Sequence, residues 1–159
     1  ALSDCSPPPS ESRKIFPVPV RKDLTKGRKI IFMTMATDYN NRLITPDLEK
    51  AMKDYPLYSQ DSKKKDALCI AVFFIGSARW YILEGQREYD DFVLFGIIVG
   101  LAETEYGYIS ANEMASVALD ASKYGLGTIM VEQEKAFQPC KLSAIQDGEL
   151  QSFLNRFYD

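Results

Sequence analysis

Between positions 67 and 110 apolar runs rich in β-branched and aromatic residues alternate with short polar or glycine-bearing breaks, the pattern of successive strands in one sheet. Residues 67–75 are almost unbroken in their apolarity, which predicts a strand covered on both faces and central in its sheet. Gly76 and Ser77 make a tight connection to a second strand at 79–83, so the two form an antiparallel hairpin. A third strand follows at 92–99, with Gly96 in its middle predicting a bulge or the close approach of a neighbour. A shorter fourth strand is expected at 106–109.

Helical periodicity flanks this sheet. Thr45-Pro46 opens a helix: threonine caps, proline suits the first helical position, and Asp47 favours the positive end. Leu48, Ala51, Met52 and Tyr55 then give one apolar face, and Pro56 ends the helix. Ser110-Ala111-Asn112-Glu113 reads as a capping box starting a second helix, with Met114, Val117, Ala118 and Ala121 on one side. An exit turn at 120–127, a strand at 126–132 and an irregular stretch at 137–147 follow. Leu150, Phe153, Leu154 and Phe157 mark a C-terminal helix that docks on this sheet in preference to a second subunit. Before the sheet, 29–36 reads as a strand and 60–66, with Lys63, Lys64 and Lys65, as a solvated loop. The expected fold is α+β: a mostly antiparallel sheet, a meander around residues 67–110, covered by two or three helices.

Residues 1–28 break the pattern. Pro7, Pro8, Pro9, Pro17 and Pro19 disfavour both helix and ladder, which predicts a flexible Pro/Ser-rich arm ahead of a single domain at 29–159. Seven cations stand between positions 11 and 29 against two anions, although the chain of 159 residues carries a net charge of −3. Arg13, Lys14, Arg21, Lys22, Arg28 and Lys29 are therefore the candidates for contact with nucleic acid; the simpler expectation is a solubilising tail, because no aromatic rings interleave the charges.

Histidine is absent. That removes Ser-His-Asp and Cys-His nucleophile systems, HExxH zinc sites and imidazole general bases together. Three cysteines at wide spacings, without a CxxC pair, indicate neither a disulfide framework nor a zinc motif, and Cys69 inside an apolar strand reads as a small core hydrophobe. No apolar run is long enough to span a bilayer and no secretory leader opens the chain, so the expectation is a cytoplasmic, acidic protein that needs neither cofactor nor membrane.

Two groups of residues invite a functional reading. Glu84, Glu88, Asp90, Asp91, Glu103 and Glu105 gather at the ends of adjacent predicted strands, where a meander brings Glu84 and Asp91 to one edge; that edge suits Mg²⁺ or Ca²⁺ and a cation-dependent hydrolase. No DxDxDG loop accompanies them, and acidic residues at strand ends are ordinary turn chemistry. Trp80, Tyr81, Tyr89, Tyr106 and Tyr108 divide between core packing and an exposed patch able to anchor a partner.

The succession Leu57-Tyr58-Ser59-Gln60, Ala71-Val72-Phe73-Phe74, Trp80-Tyr81-x-x-Glu84-Gly85, Asp90-Asp91-Phe92-x-x-Phe95-Gly96, Glu105-Tyr106-Gly107-Tyr108-Ile109-Ser110 and Glu113-Met114 resembles an uncharacterised domain-of-unknown-function family (number 2958) of small proteins on bacterial plasmids, conjugative elements and phages. The similarity covers about 57–142 and leaves out the basic arm and the C-terminal helix at about 149–158. After the capped helix the family carries a Gly-Leu-Pro segment and an Arg-Asp pair; here Gly125-Leu126-Gly127-Thr128 and Val131-Glu132-Gln133 stand in their place. The resemblance implies a fold and a mobile-element setting, and no reaction.

The leading expectation is a non-catalytic binding protein that docks on a host or element-encoded protein, with Trp80, Tyr81, Glu84, Tyr89, Asp90, Asp91, Glu105, Tyr106 and Tyr108 as partner-binding candidates. A carboxylate- and metal-dependent hydrolase at the Glu84/Asp91 edge and a nucleic-acid-binding accessory protein acting through the arm are the alternatives. Oligomeric state is left open.

Overall fold

The computed structural model of the chain describes residues 39–158 and, ahead of them, the two-residue strand β1 (Lys14–Ile15). The rest of the expected arm, and the strand expected at 29–36, lie outside the described residues. The main sheet is built from β3 (Ala71–Ile75), β4 (Ala78–Glu88), β5 (Asp91–Val99) and β6 (Glu105–Ser110), antiparallel neighbours in chain order. β1 pairs in parallel outside β6, and β9 (Glu132–Gln133) closes the other side against β3. Among the described residues, mostly antiparallel strands with three α-helices make the fold α+β, with the meander where the apolar pattern places it.

Both faces of this sheet are covered. On the first face α1 (Pro46–Met52) and α2 (Ala111–Ser116) help bury Phe73, Trp80, Ile82, Phe92, Leu94 and Ile98. On the second, α3 (Gly148–Tyr158) brings Leu150, Phe153 and Leu154 against Val72, Tyr81, Phe95 and Ile97. Two covered faces explain why β5 has no exposed residue and carries apolar side chains without alternation. Among the described residues no helix is long and apolar enough to cross a membrane.

Several elements depart from the expected bounds. The apolar stretch 67–75 is split at Ile70: β2 (Leu68–Cys69) leaves the main sheet to pair with β10 (Cys140–Lys141), and only β3 stays in it. β3 thus lies next to the short β9 rather than at the centre, which β4 and β5 occupy. β4 runs eleven residues, well past Leu83, because a bulge absorbs one residue: Ile82 faces Gly96 but Glu84 faces Phe95, leaving Leu83 extra. α1 starts on its Thr45 cap but stops at Met52, short of Pro56, and Ala51 is exposed. The second helix keeps its Ser110 cap, whose hydroxyl accepts the Glu113 N–H, yet ends at Ser116. Val117 turns to extended backbone there, and Arg42 satisfies the freed Ala115 carbonyl while also donating to that of Val131. Val117, Ala118 and Ala121 therefore do not share a helical face with Met114. Residues 118–120 and 128–130 instead form β7 (Ala118–Asp120) and β8 (Thr128–Met130), a separate two-stranded hairpin.

Candidate functional site

The bulge decides the fate of the first acidic candidate. Before it, even-numbered side chains of β4 lie on the first face; after it, Glu84 opposes Phe95 and turns to the second. Glu84 is fully buried. Its Oε1 accepts the Tyr58 N–H at 2.7 Å and its Oε2 the Gln60 N–H at 2.8 Å. Gln60, which the sequence places in a solvated loop, is itself buried: its side chain donates to the Leu68 and Leu83 carbonyls and accepts the Leu68 N–H. Leu57 N–H donates to Gln86, and Gly85 N–H to the Tyr55 carbonyl. The Leu57–Gln60 stretch is thus bolted to β4, and Tyr58 is held there in left-handed backbone (φ 76°) with its ring half-exposed.

Asp91 is a second socket of the same kind. Its Oδ2 accepts the Ser110 hydroxyl, and its Oδ1 accepts the N–H groups of Phe92 at 2.6 Å and Asn112 at 3.0 Å. The carboxylate thereby fixes the start of α2 against the β4–β5 turn, where Asn112 also reaches the Asp90 carbonyl. Glu84 and Asp91 stand four residue pairs apart on the β4–β5 ladder, about 13 Å at strand spacing. The shared edge expected for a cation is not formed, since each carboxylate is turned onto its own set of backbone donors. Among the described residues no group of three or more Cys, Asp or Glu side chains is arranged to hold a metal ion.

The aromatic candidates divide. Trp80 is buried on the first face, Tyr81 and Tyr106 on the second. Tyr106 stacks on Phe95 at 5.5 Å and meets Phe153, Phe157 and Tyr158 of α3 edge-on. Tyr81 donates to Asp147 at 2.5 Å, and burial together with that carboxylate pushes its hydroxyl pKa up. Tyr89 (φ 56°) and Asp90 form the partly exposed β4–β5 turn, Glu105 is half-buried at the start of β6, and Tyr108 donates to the Tyr58 hydroxyl at 2.7 Å. Of the nine partner-binding candidates, five are packed inside: Trp80, Tyr81, Glu84, Asp91 and Tyr106. Arg13, Arg21, Lys22, Arg28, Lys29 and the side chain of Lys14 lie outside the described residues.

Apart from Tyr58 and Leu101, the large apolar side chains exposed among the described residues sit elsewhere. Val117, Leu119, Tyr124, Leu126 and Met130 are 37%, 47%, 76%, 63% and 40% exposed, and all belong to the β7–β8 hairpin and its approach. The hairpin holds itself together: Ala121 N–H donates to the Gly127 carbonyl, Leu126 N–H to that of Ala121, and Ser122 lowers the pKa of Asp120 by hydrogen bonding to it. Tyr124 and Leu126 flank Gly125 in left-handed backbone at the tip. Sequence reasoning passed over them because the second helix was expected to run through 117–121; the unpatterned Tyr124-Gly125-Leu126-Gly127 was the available signal. An open cleft of about 170 Å³ beside α1, lined by Met52, Phe92, Gly85, Lys53 and Arg87 among others, is smaller than a usual ligand pocket.

A mostly antiparallel sheet filled on both faces, with Glu84 and Asp91 turned inward onto backbone donors, defines the class: an α+β domain. The chain belongs to the family described as "Protein of unknown function (DUF2958)", which matches residues 43–145 and so extends the expected range at both ends. A search of the curated proteins gave no match, and a search of the solved structures gave none.

Proposed function

We propose that this protein is a non-catalytic binding protein of a plasmid, conjugative element or phage, and that it docks on a host or element-encoded protein through the β7–β8 hairpin. One observation carries the reading: of the seven exposed large apolar side chains among the described residues, five fall between Val117 and Met130, on an element that contributes little to either core. Clustered apolar exposure rimmed by polar groups marks protein contact surfaces, and a tyrosine such as Tyr124 is a favoured anchor. The acids that a hydrolase would use are occupied with backbone donors.

The test compares tagged wild-type protein with a Tyr124→Ser/Leu126→Ser variant in the same host extract. Wild type should retain a discrete protein that the variant loses at least tenfold, about 1.4 kcal/mol or more of binding, while both melt at the same temperature. Equal retention by the two, or measurable turnover by the purified domain, would reverse the reading.

A further inference from the structure

Two thiols separated by seventy residues of sequence meet across the ladder that leads into the C-terminal helix. β2 and β10 pair antiparallel with Cys69 directly opposite Cys140 and Leu68 opposite Lys141. Directly opposite Cα atoms in such a pair lie about 4.5 or about 5.5 Å apart, according to the hydrogen-bond pattern. Both spacings fall within the span of about 4.4–6.8 Å that a disulfide bridges. Opposed residues also send their side chains to the same side, so neither strand need turn over. The register is held at one end by the Leu142 N–H, which donates to the Ala67 carbonyl at 2.9 Å; just past Cys69 the chain is tied to β4 by the Ile70 N–H, which donates to the Ile82 carbonyl at 2.8 Å.

We infer that Cys69 and Cys140 form an oxidation site, closing an intramolecular disulfide when the chain meets a thiol oxidant of the glutathione disulfide class. Both residues are thiols in this structure; Cys69 is buried among the second-face core and Cys140 is partly exposed. Accessibility gives the order of events. The Cys140 thiolate attacks one sulfur of glutathione disulfide, the S–S bond breaks, and one glutathione leaves as thiolate. The Cys69 sulfur then attacks Cys140 Sγ in the mixed disulfide, its proton passes to the departing glutathione, and the second glutathione is displaced. Two protein thiols are oxidised and one glutathione disulfide is reduced to two glutathione molecules. Burial, with Cys140 beside it, pushes the Cys69 thiol pKa up, which suits it to the second step rather than the first.

The bond would staple a ladder of only two residue pairs. That ladder is where the chain passes, through the turn at Leu142–Ala144, into α3. Closing so long a loop constrains the unfolded chain strongly, and the oxidised protein should melt about 10 °C higher than the reduced one.

The experiment uses the full chain with Cys5→Ser, so that only this pair can react, incubated reduced with glutathione disulfide. The expected product is a monomer lighter by two hydrogens, free of glutathione, whose proteolytic map joins the Cys69 and Cys140 peptides; its melting temperature rises and falls back on reduction. Adding Cys140→Ser should leave Cys69 unmodified in the folded state. A glutathione adduct that persists at Cys140, a bridge between two chains, two thiols still free after incubation, or a melting temperature unchanged by the bond would each overturn the proposal.

Discussion

The Tyr81 hydroxyl, on the central strand β4, donates to Oδ2 of Asp147 at 2.5 Å, while Oδ1 of the same carboxylate accepts the Glu149 and Leu150 N–H groups that open α3. One side chain thus caps a helix and ties it to the sheet. Tyr81→Phe should cost about 1 kcal/mol, the net value of one hydrogen bond. Asp147→Ala also removes the cap and leaves a buried hydroxyl without its acceptor, so it should cost about 2–3 kcal/mol. Urea denaturation reads both losses, and amide exchange in 148–158 should speed up more in the second variant.

Stability should fall on the alkaline side. Tyr81 and Tyr39 are pushed above the ordinary tyrosine value of 10.0 chiefly by burial, with Asp147 and Asp91 respectively adding to the effect; Cys69 is pushed above 9.0, again chiefly by burial. In each case the folded state keeps a proton that the unfolded chain releases. The stabilisation is complete below pH 9, and is lost progressively as pH rises through 9–10 and beyond. Denaturation midpoints measured from pH 7 to 11 should show that decline, and a Tyr39→Phe/Tyr81→Phe variant should show a shallower one.

Glu84→Gln tests the socket beneath Tyr58. The carboxylate accepts from two backbone donors, whereas an amide offers one acceptor and turns its own donor toward the second N–H. The expected loss is about 1–3 kcal/mol, with increased proteolysis at 57–60. Gln60→Ala should be at least as damaging, since it abandons the Leu68 N–H and the Leu68 and Leu83 carbonyls in one step.

Two glycines should respond unequally to alanine. At Gly96 an added Cβ would lie 2.0 Å from the Tyr81 carbonyl oxygen of the neighbouring strand, and backbone cannot step aside. At Gly85 the nearest atom, 2.5 Å away, is the flexible Met52 sulfur. Gly96→Ala should therefore prevent folding or cost well over the ~1–3 kcal/mol of ordinary overpacking, while Gly85→Ala should stay within that range. Expression yield and urea midpoints separate the two.

The meander was legible because its strands carry unbroken apolar runs between clear turn signals, and both caps, Thr45 and Ser110, were readable as local chemistry. The close approach at Gly96 was legible too, since a glycine inside a strand usually marks one. What escaped was non-local. Ile70 gives no sign that Leu68–Cys69 will turn away to a strand seventy positions on, and the short reach of α2 depends on Arg42 and on β8, neither of which periodicity can see. Of the candidate acids, Glu84 and Asp91 are held by backbone amides, partners that no side-chain pattern announces.

The extra residue at Leu83 also works as a phase shifter for the whole outer half of β4. Upstream of it the even positions belong to the side of α1; downstream the odd ones do, as the crowding of Gly85 by Met52, Leu94 and Phe92 confirms. Were Leu83 paired in turn, with no residue left over, Glu84 and every position through Glu88 would fall on the opposite face. The anchor for Tyr58 and Gln60 would then aim at the wrong layer, so the strand's odd length is itself an inherited instruction for where the carboxylate must point.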